Sequence, residues 1–385
     1  MNRAGRPLGP PGRVPQWRVR PLLAVGLAAL LTGLWAGLAR IGWDLPAADG
    51  PLMLRHGGLM VVGFVATVIM VERAVALGAW PAFIAPALSA ASGGALLAAA
   101  PHPVVPALAT AAAVAYAANM AVLLARHRAL PFAVMLAGAV SLTAGGIAWW
   151  YFDAVPRVLP WWIAFLALTI GAERLEIMRF QRFSTGARAT GMVALALMLA
   201  GPPLAVVDLD AGARVLGGGL LAATGWLVRR DIARRTVRTD GLARFVAVGI
   251  LSGYAWLAIT GALLAAWAVP VGLRYDAAVH IFFVGFVFGA IVAHEPIILP
   301  SVTGSAFHYS PLLYLPLAVL HGSLLWRVAA DLAGTFDQRR AAGLLQVTAI
   351  LLFLVVSGMG ALRGRRARGS IAGGGAASTA PVPRA

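Results

Sequence analysis

The chain has 385 residues, 60% of them hydrophobic and only 12% charged, with 31 basic side chains against 14 acidic ones and a formal net charge of +17. An ordinary soluble domain carries about 25% charged residues, so a water-soluble fold is excluded; and because every basic residue is an arginine and most sit in short gaps between apolar runs, the charge orients helices against anionic lipid and argues against nucleic acid as a partner. No cysteine is present, which excludes disulfides, thiolate metal sites, iron–sulfur clusters and covalent c-type haem.

Residues 1–20 form a basic, proline-rich segment. The apolar run that follows lacks the short core and small-residue cleavage site of a signal peptide, so it reads as a retained first helix. Runs of about 20 residues, enough to cross the hydrocarbon, fall near 21–41, 56–77, 80–100, 104–125, 131–152 and 159–178. Six more follow near 187–207, 212–228, 243–268, 275–299, 311–331 and 341–362, separated by glycine, proline and charged residues. Residues 21–362 therefore make one all-α transmembrane domain of about twelve helices. The Gly- and Ala-rich stretch 363–385 reads as a disordered tail.

Alternate loops differ sharply in charge. One side of the membrane receives the N-terminal arginines, Arg126 and Arg128, Arg179 to Arg188, the cluster Arg229 to Arg244 and the tail from Arg363. The other receives Arg40, Arg55, Arg157, Arg214, Arg274, Arg339 and Arg340. The positive-inside rule then places both termini in the cytoplasm of a bacterium, with the protein in its inner membrane. Trp149, Trp150, Trp161 and Trp162 fit an interfacial belt on the far side.

Three segments align without a gap: Gly63-Phe64 to Leu77, Ala164-Phe165 to Met178, and Gly285-Phe286 to Leu299. In each, a phenylalanine is followed eight residues later by a polar patch: Glu72-Arg73, Glu173-Arg174 and His294-Glu295. The preceding helices add Thr32-Gly33, Thr143-Ala144-Gly145 and Thr260-Gly261. The period is four helices, giving three pseudo-repeats near 21–125, 131–228 and 243–362, which does not suit a transporter built from two six-helix halves.

Of the seven histidines, His102 and His127 fall in loops. His321 lies mid-helix beside Gly322 and Ser323, where a hydrogen bond to a neighbouring carbonyl would satisfy it. An ionisable side chain within a bilayer is a functional candidate, and His56 and His280 are the informative pair. They sit near the start of helices two and ten, at similar distances before Phe64 and Phe286. Two facing imidazoles can ligate a haem iron from both sides; interfacial histidines satisfied by water are the bland alternative.

Twelve helices in three groups of four, with histidines on helices two and ten, resembles subunit I of the haem-copper oxidases and the related NnrS-type membrane proteins. The resemblance implies an oxidase-like fold, a low-spin haem b held by His56 and His280, and propionates met by the pair Arg339 and Arg340 between helices eleven and twelve. A redox or respiratory-complex partner follows from it. The oxidase pattern also has a His on helix six, a His pair on helix seven and a second His two residues away on helix ten. Here 161–178 and 189–207 contain no His, and Ala278 stands two residues before His280. The copper site and the high-spin haem ligand are thus absent, and oxygen reduction is not expected; electron transfer, or the handling of nitric oxide or metal, is.

A second polar set, Glu72, Glu173, His294, Glu295 and His308, falls toward the cytoplasmic ends of helices two, six and ten. Carboxylates and imidazoles of this kind suit a second metal ion such as zinc, iron or manganese. They equally suit a proton entry point in a proton- or cation-coupled transporter, or buried ion pairs between Glu72, Arg73, Glu173 and Arg174 that fix packing. A scaffold or assembly factor that kept the fold without its chemistry is a further reading.

Overall fold

The computed structural model describes residues 15–46, 50–304 and 306–374, with side chains described through Gly364. Residues 1–14 of the basic leading segment and 375–385 of the tail lie outside them. Among the described residues there is no strand, and twelve helices are long and apolar enough to cross a membrane. They are α1 (Gln16–Arg40), α2 (Gly50–Leu77), α3 (Trp80–Leu97), α4 (Val104–His127), α5 (Leu130–Phe152), α6 (Val155–Ile177), α7 (Thr185–Val207), α8 (Leu209–Arg230), α9 (Gly241–Trp267), α10 (Gly272–Thr303), α11 (Pro311–Ala333) and α12 (Phe336–Gly364). The backbone of the last helix continues as a helix to Gly374.

Local chemistry sets the ends. Proline opens α5, α6 and α11, where its missing N–H would be unpaired in any case. The Asp208 carboxylate caps α8 by accepting the N–H groups of Asp210 and Ala211, both at 3.0 Å. The first segment of α10 begins just after a break at Val271, and α2 ends at Gly78, whose φ of +67° is the left-handed cap that suits glycine.

Membrane helices gain little from hydrophobicity against one another and associate through close packing of small residues and polar contacts. Gly63 of α2 and Gly93 of α3 meet backbone to backbone: a Cβ on Gly93 would stand 3.0 Å from the Gly63 Cα. Three helices form the interior. The most apolar stretch of α6 is 78% buried, that of α10 72% and that of α2 61%, against 28% for α7, which is peripheral.

Both α2 and α10 depart from regular α geometry. Each has an eight-residue π-helical stretch, Leu59–Ala66 and Ile281–Phe288, with Gly63-Phe64 and Gly285-Phe286 at the same places within it. The wider turn frees a carbonyl from the usual ladder. In α2 that of Val62 is satisfied by the hydroxyls of Thr67 at 3.2 Å and of Ser89 at 3.1 Å. Such stretches occur mostly at functional sites, and here each begins within three residues of a histidine: His56 before Leu59, and His280 before Ile281.

Candidate functional site

His56 is the seventh residue of α2 and His280 the ninth of α10, so at 1.5 Å per residue both lie about 10 Å inside the start of their helices. The structure brings them face to face across a cavity. Their ring centroids are 6.3 Å apart and their planes 18° from parallel. The Nδ1 of His56 lies 2.7 Å from the Gly33 carbonyl oxygen of α1, and that of His280 lies 2.7 Å from the Asp276 carbonyl oxygen. A carbonyl can only accept, so each imidazole carries its proton on Nδ1 and leaves Nε2 as a free lone pair. Room for the His56 ring comes from Gly37, where a Cβ would stand 2.9 Å from its Cε1.

The cavity has a volume of about 660 Å³ and is mostly apolar. Its apolar lining includes Leu34, Ile41, Leu96, Trp162, Phe283 and Ile350. Arg40, Arg55 and Arg327 also line it. One step further in, Phe64 and Phe288 stack at 5.8 Å, repeating the contact between α2 and α10 that the histidines make. This volume and lining fall within the range of ordinary cofactor pockets.

Behind His280 lies a buried charge network. Arg327 donates to Asp276 Oδ2 from Nε at 3.0 Å and Nη2 at 2.9 Å, and to Gln346 Oε1 from Nη1 at 2.9 Å. Arg339, expected to meet a haem propionate, instead pairs with Asp276 at 3.2 Å and with Asp331 at 2.9 Å. Arg340 lies over the Trp43 ring, 4.9 Å from its centroid. Neither Arg339 nor Arg340 lines the cavity, which corrects that expectation: two nearby carboxylates and an indole face draw these arginines away. Asp276 and Arg327 were not singled out in the sequence. The available signals were the four-residue spacing of Asp276 before His280 and the lone charge of Arg327 within an apolar helix.

The second polar set does not assemble as a metal centre. Among the described residues no group of three or more His, Asp and Glu side chains is placed to hold a metal ion. Arginines occupy the space between its members. Arg73 donates to Glu173 at 2.7 Å and lies 3.3 Å from Glu72. Arg174 forms a fork with Asp231, with both contacts at 2.8 Å, and approaches His294 Nε2 at 3.5 Å. His294 donates Nδ1–H to the Ala290 carbonyl at 2.9 Å. Glu295 turns elsewhere and accepts from the Ser357 hydroxyl at 3.1 Å, while His308 is exposed and is tied through its backbone N–H to the Gly360 carbonyl at 3.0 Å. Of the ion pairs weighed among Glu72, Arg73, Glu173 and Arg174, the structure forms those of Arg73 with the two glutamates, while Arg174 pairs with Asp231.

Asp231, just beyond α8, is the unforeseen centre of this region. It also accepts from the Tyr254 hydroxyl of α9 and from the Ala233 N–H at 2.8 Å. Burial alone would raise its carboxyl, but the hydrogen bonds and charge of Arg174, the Ala233 N–H and the Tyr254 hydroxyl hold it below the ordinary carboxylate range. His321 has a structural part. Its Nδ1 accepts from the Trp256 indole at 3.0 Å, so its proton sits on Nε2 and is donated to the Ser252 hydroxyl at 3.0 Å.

The family described as a domain of unknown function (DUF8744) has a sequence profile that matches residues 18–361. No curated protein matches the chain.

Proposed function

Because the chain belongs to that family, DUF8744, whose description assigns no activity, we propose from the geometry of its interior that it is a haem-b-binding membrane protein with His56 and His280 as the two axial ligands. The observation that carries this reading is the facing imidazole pair. Their ring centroids are 6.3 Å apart, and both residues line the same cavity. Both free lone pairs belong to Nε2, the tautomer that the Gly33 and Asp276 carbonyls impose.

Haem b supplies one-electron redox chemistry when bound. The chain's own groups do the rest. His56 and His280 would hold the group from two sides, an arrangement that would favour electron transfer over the capture of nitric oxide or another gas. The apolar walls keep water from the site, and Arg40, Arg55 and Arg327 present guanidinium groups suited to carboxylates. Asp276 holds Arg327 and the His280 ring together and so orients the second ligand. The organisation in three four-helix repeats, related to haem-copper oxidase subunit I and NnrS-type proteins, belongs to the same reading and is supported by the matched π-helical stretches of α2 and α10. So does a bacterial inner-membrane location with the arginine-rich face in the cytoplasm, and an electron-carrying partner at the opposite face, where the cavity lies.

The test is the dithionite-reduced minus oxidised visible spectrum of detergent-purified protein expressed with haem supply. A b-type spectrum with one haem per chain is expected. Folded, monodisperse protein with no haem would overturn the reading.

A further inference from the structure

We infer that Glu72 and Glu173, at the arginine-rich end of α2 and α6, form a proton-binding site in which one exchangeable proton is shared between the two carboxyl groups. The inference is independent of any haem. It rests first on a charge count. Arg73 is the guanidinium for three carboxylates: Glu173 at 2.7 Å, Glu72 at 3.3 Å and Glu176 at 3.9 Å. The Glu176 side chain is one-third exposed and can be solvated, but those of Glu72 and Glu173 are only 19% and 17% exposed. Two enclosed carboxylates thus share one cation, which itself is 9% exposed.

Among the described residues, Arg73 is the one cation in ion-pair contact with either glutamate. Arg174 is committed to Asp231 by both arms of its fork. His294, on α10, donates Nδ1–H to Ala290 and receives Arg174 on Nε2. No ionisable side chain of α3 or α5 lies at this level. An uncompensated carboxylate in a membrane interior costs several kcal/mol, and neutralisation by a proton is the usual resolution. Like charges confined to one site cannot both ionise freely.

The second, separate observation is Tyr116 of α4. Its side chain is fully buried and faces Arg73, Glu173 and Glu72; its hydroxyl lies beside that of Thr169, and neither of these two buried hydroxyls makes a well-formed hydrogen bond. Unpaired buried hydroxyls are uncommon. Here they stand beside a carboxyl pair, where a bound proton or a water that carries it would satisfy them. A hydronium ion at the arginine-rich face, past Glu176, gives up the proton and is left as a water molecule while the carboxylate becomes a carboxylic acid; no other bond changes.

Dicyclohexylcarbodiimide tests this on the full-length protein. It reacts with a protonated, apolar-enclosed carboxyl group: the acid proton goes to a carbodiimide nitrogen, and the carboxylate oxygen bonds to the central carbon. Near neutral pH, peptide mass mapping should find the adduct on Glu72 or Glu173, with labelling falling at alkaline pH. Glu72→Gln and Glu173→Gln should each abolish labelling of the remaining partner by about tenfold or more, because a single carboxylate paired with Arg73 has no reason to hold a proton. Wild-type protein alone gives a second measurement, a carboxylic-acid C=O infrared band that is lost on alkalinisation. Absence of both adduct and band in folded wild type would overturn the inference, as would a single variant whose remaining glutamate labels as before.

Discussion

Replacing either His56 or His280 by alanine is expected to leave the protein folded but unable to retain haem b, with occupancy after gel filtration falling by more than about 100-fold. Loss of a group that only orients a metal ligand already costs 10- to 100-fold in affinity, and these two residues are the proposed ligands themselves. Their replacement removes no packing anchor: both rings face the cavity and are only partly buried. Thermal unfolding separates the effect on binding from an effect on folding. A ligand at a thousand times its dissociation constant adds about 4 kcal/mol to stability, so wild type should melt higher with haem than without, and the variants should melt alike under both conditions. Variants that keep a wild-type haem content would place the ligands elsewhere.

Arg174→Met should be the most destabilising single substitution in the described interior, by about 3–5 kcal/mol, since it strands the Asp231 carboxylate where its side chain has no exposure to solvent. The double variant Arg174→Met/Asp231→Asn should recover most of the loss, because a neutral amide can still accept from Tyr254 and the Ala233 N–H. The pH dependence has a definite sign. The Asp231 carboxyl is held below its ordinary value in the folded protein, so its contribution is present above the unfolded carboxylate value, near 4, and is lost as the pH falls through the lower folded value. The gap in melting temperature between wild type and Arg174→Met should therefore be widest near neutrality and narrow in acid. A gap that stays constant below pH 4 would show that Arg174 acts through packing and not through this pair.

The twelve spans were legible because length and apolarity decide a membrane helix almost by themselves. Helix α7 was expected at 187–207 and runs Thr185–Val207; α8 was expected at 212–228 and runs Leu209–Arg230. The larger shift at α2, which begins at Gly50 instead of near residue 56, placed His56 deeper in its helix than its sequence position implied. His56 and His280 were legible as imidazoles near the start of the second and tenth membrane helices. Their tautomers were not, because these depend on the Gly33 and Asp276 carbonyls, one of which lies on another helix.

The π-helical stretches were also invisible, since residues such as Val62 and Val284 carry no signal that distinguishes a π turn from an α turn. The arginines show a different limit. Glu72-Arg73 and Glu173-Arg174 look equivalent in sequence, yet Arg73 pairs across to Glu173 while Arg174 pairs with Asp231, far along the chain within an arginine-rich loop. Which carboxylate an arginine takes is set by tertiary proximity, and that is why Glu72, Glu173, His294, Glu295 and His308 are not gathered into one group among the described residues. The same reason holds Arg339 on Asp276 and Asp331, while Arg327 lines the cavity.

The paired-ligand claim is tested most directly by the low-temperature electron paramagnetic resonance spectrum of the oxidised, haem-loaded protein. Two imidazoles whose planes lie 18° apart predict a rhombic low-spin ferric signal that disappears in His56→Ala and in His280→Ala. A high-spin signal in wild type, or the single large-g signal of perpendicular imidazoles, would contradict coordination by this pair as the structure arranges it.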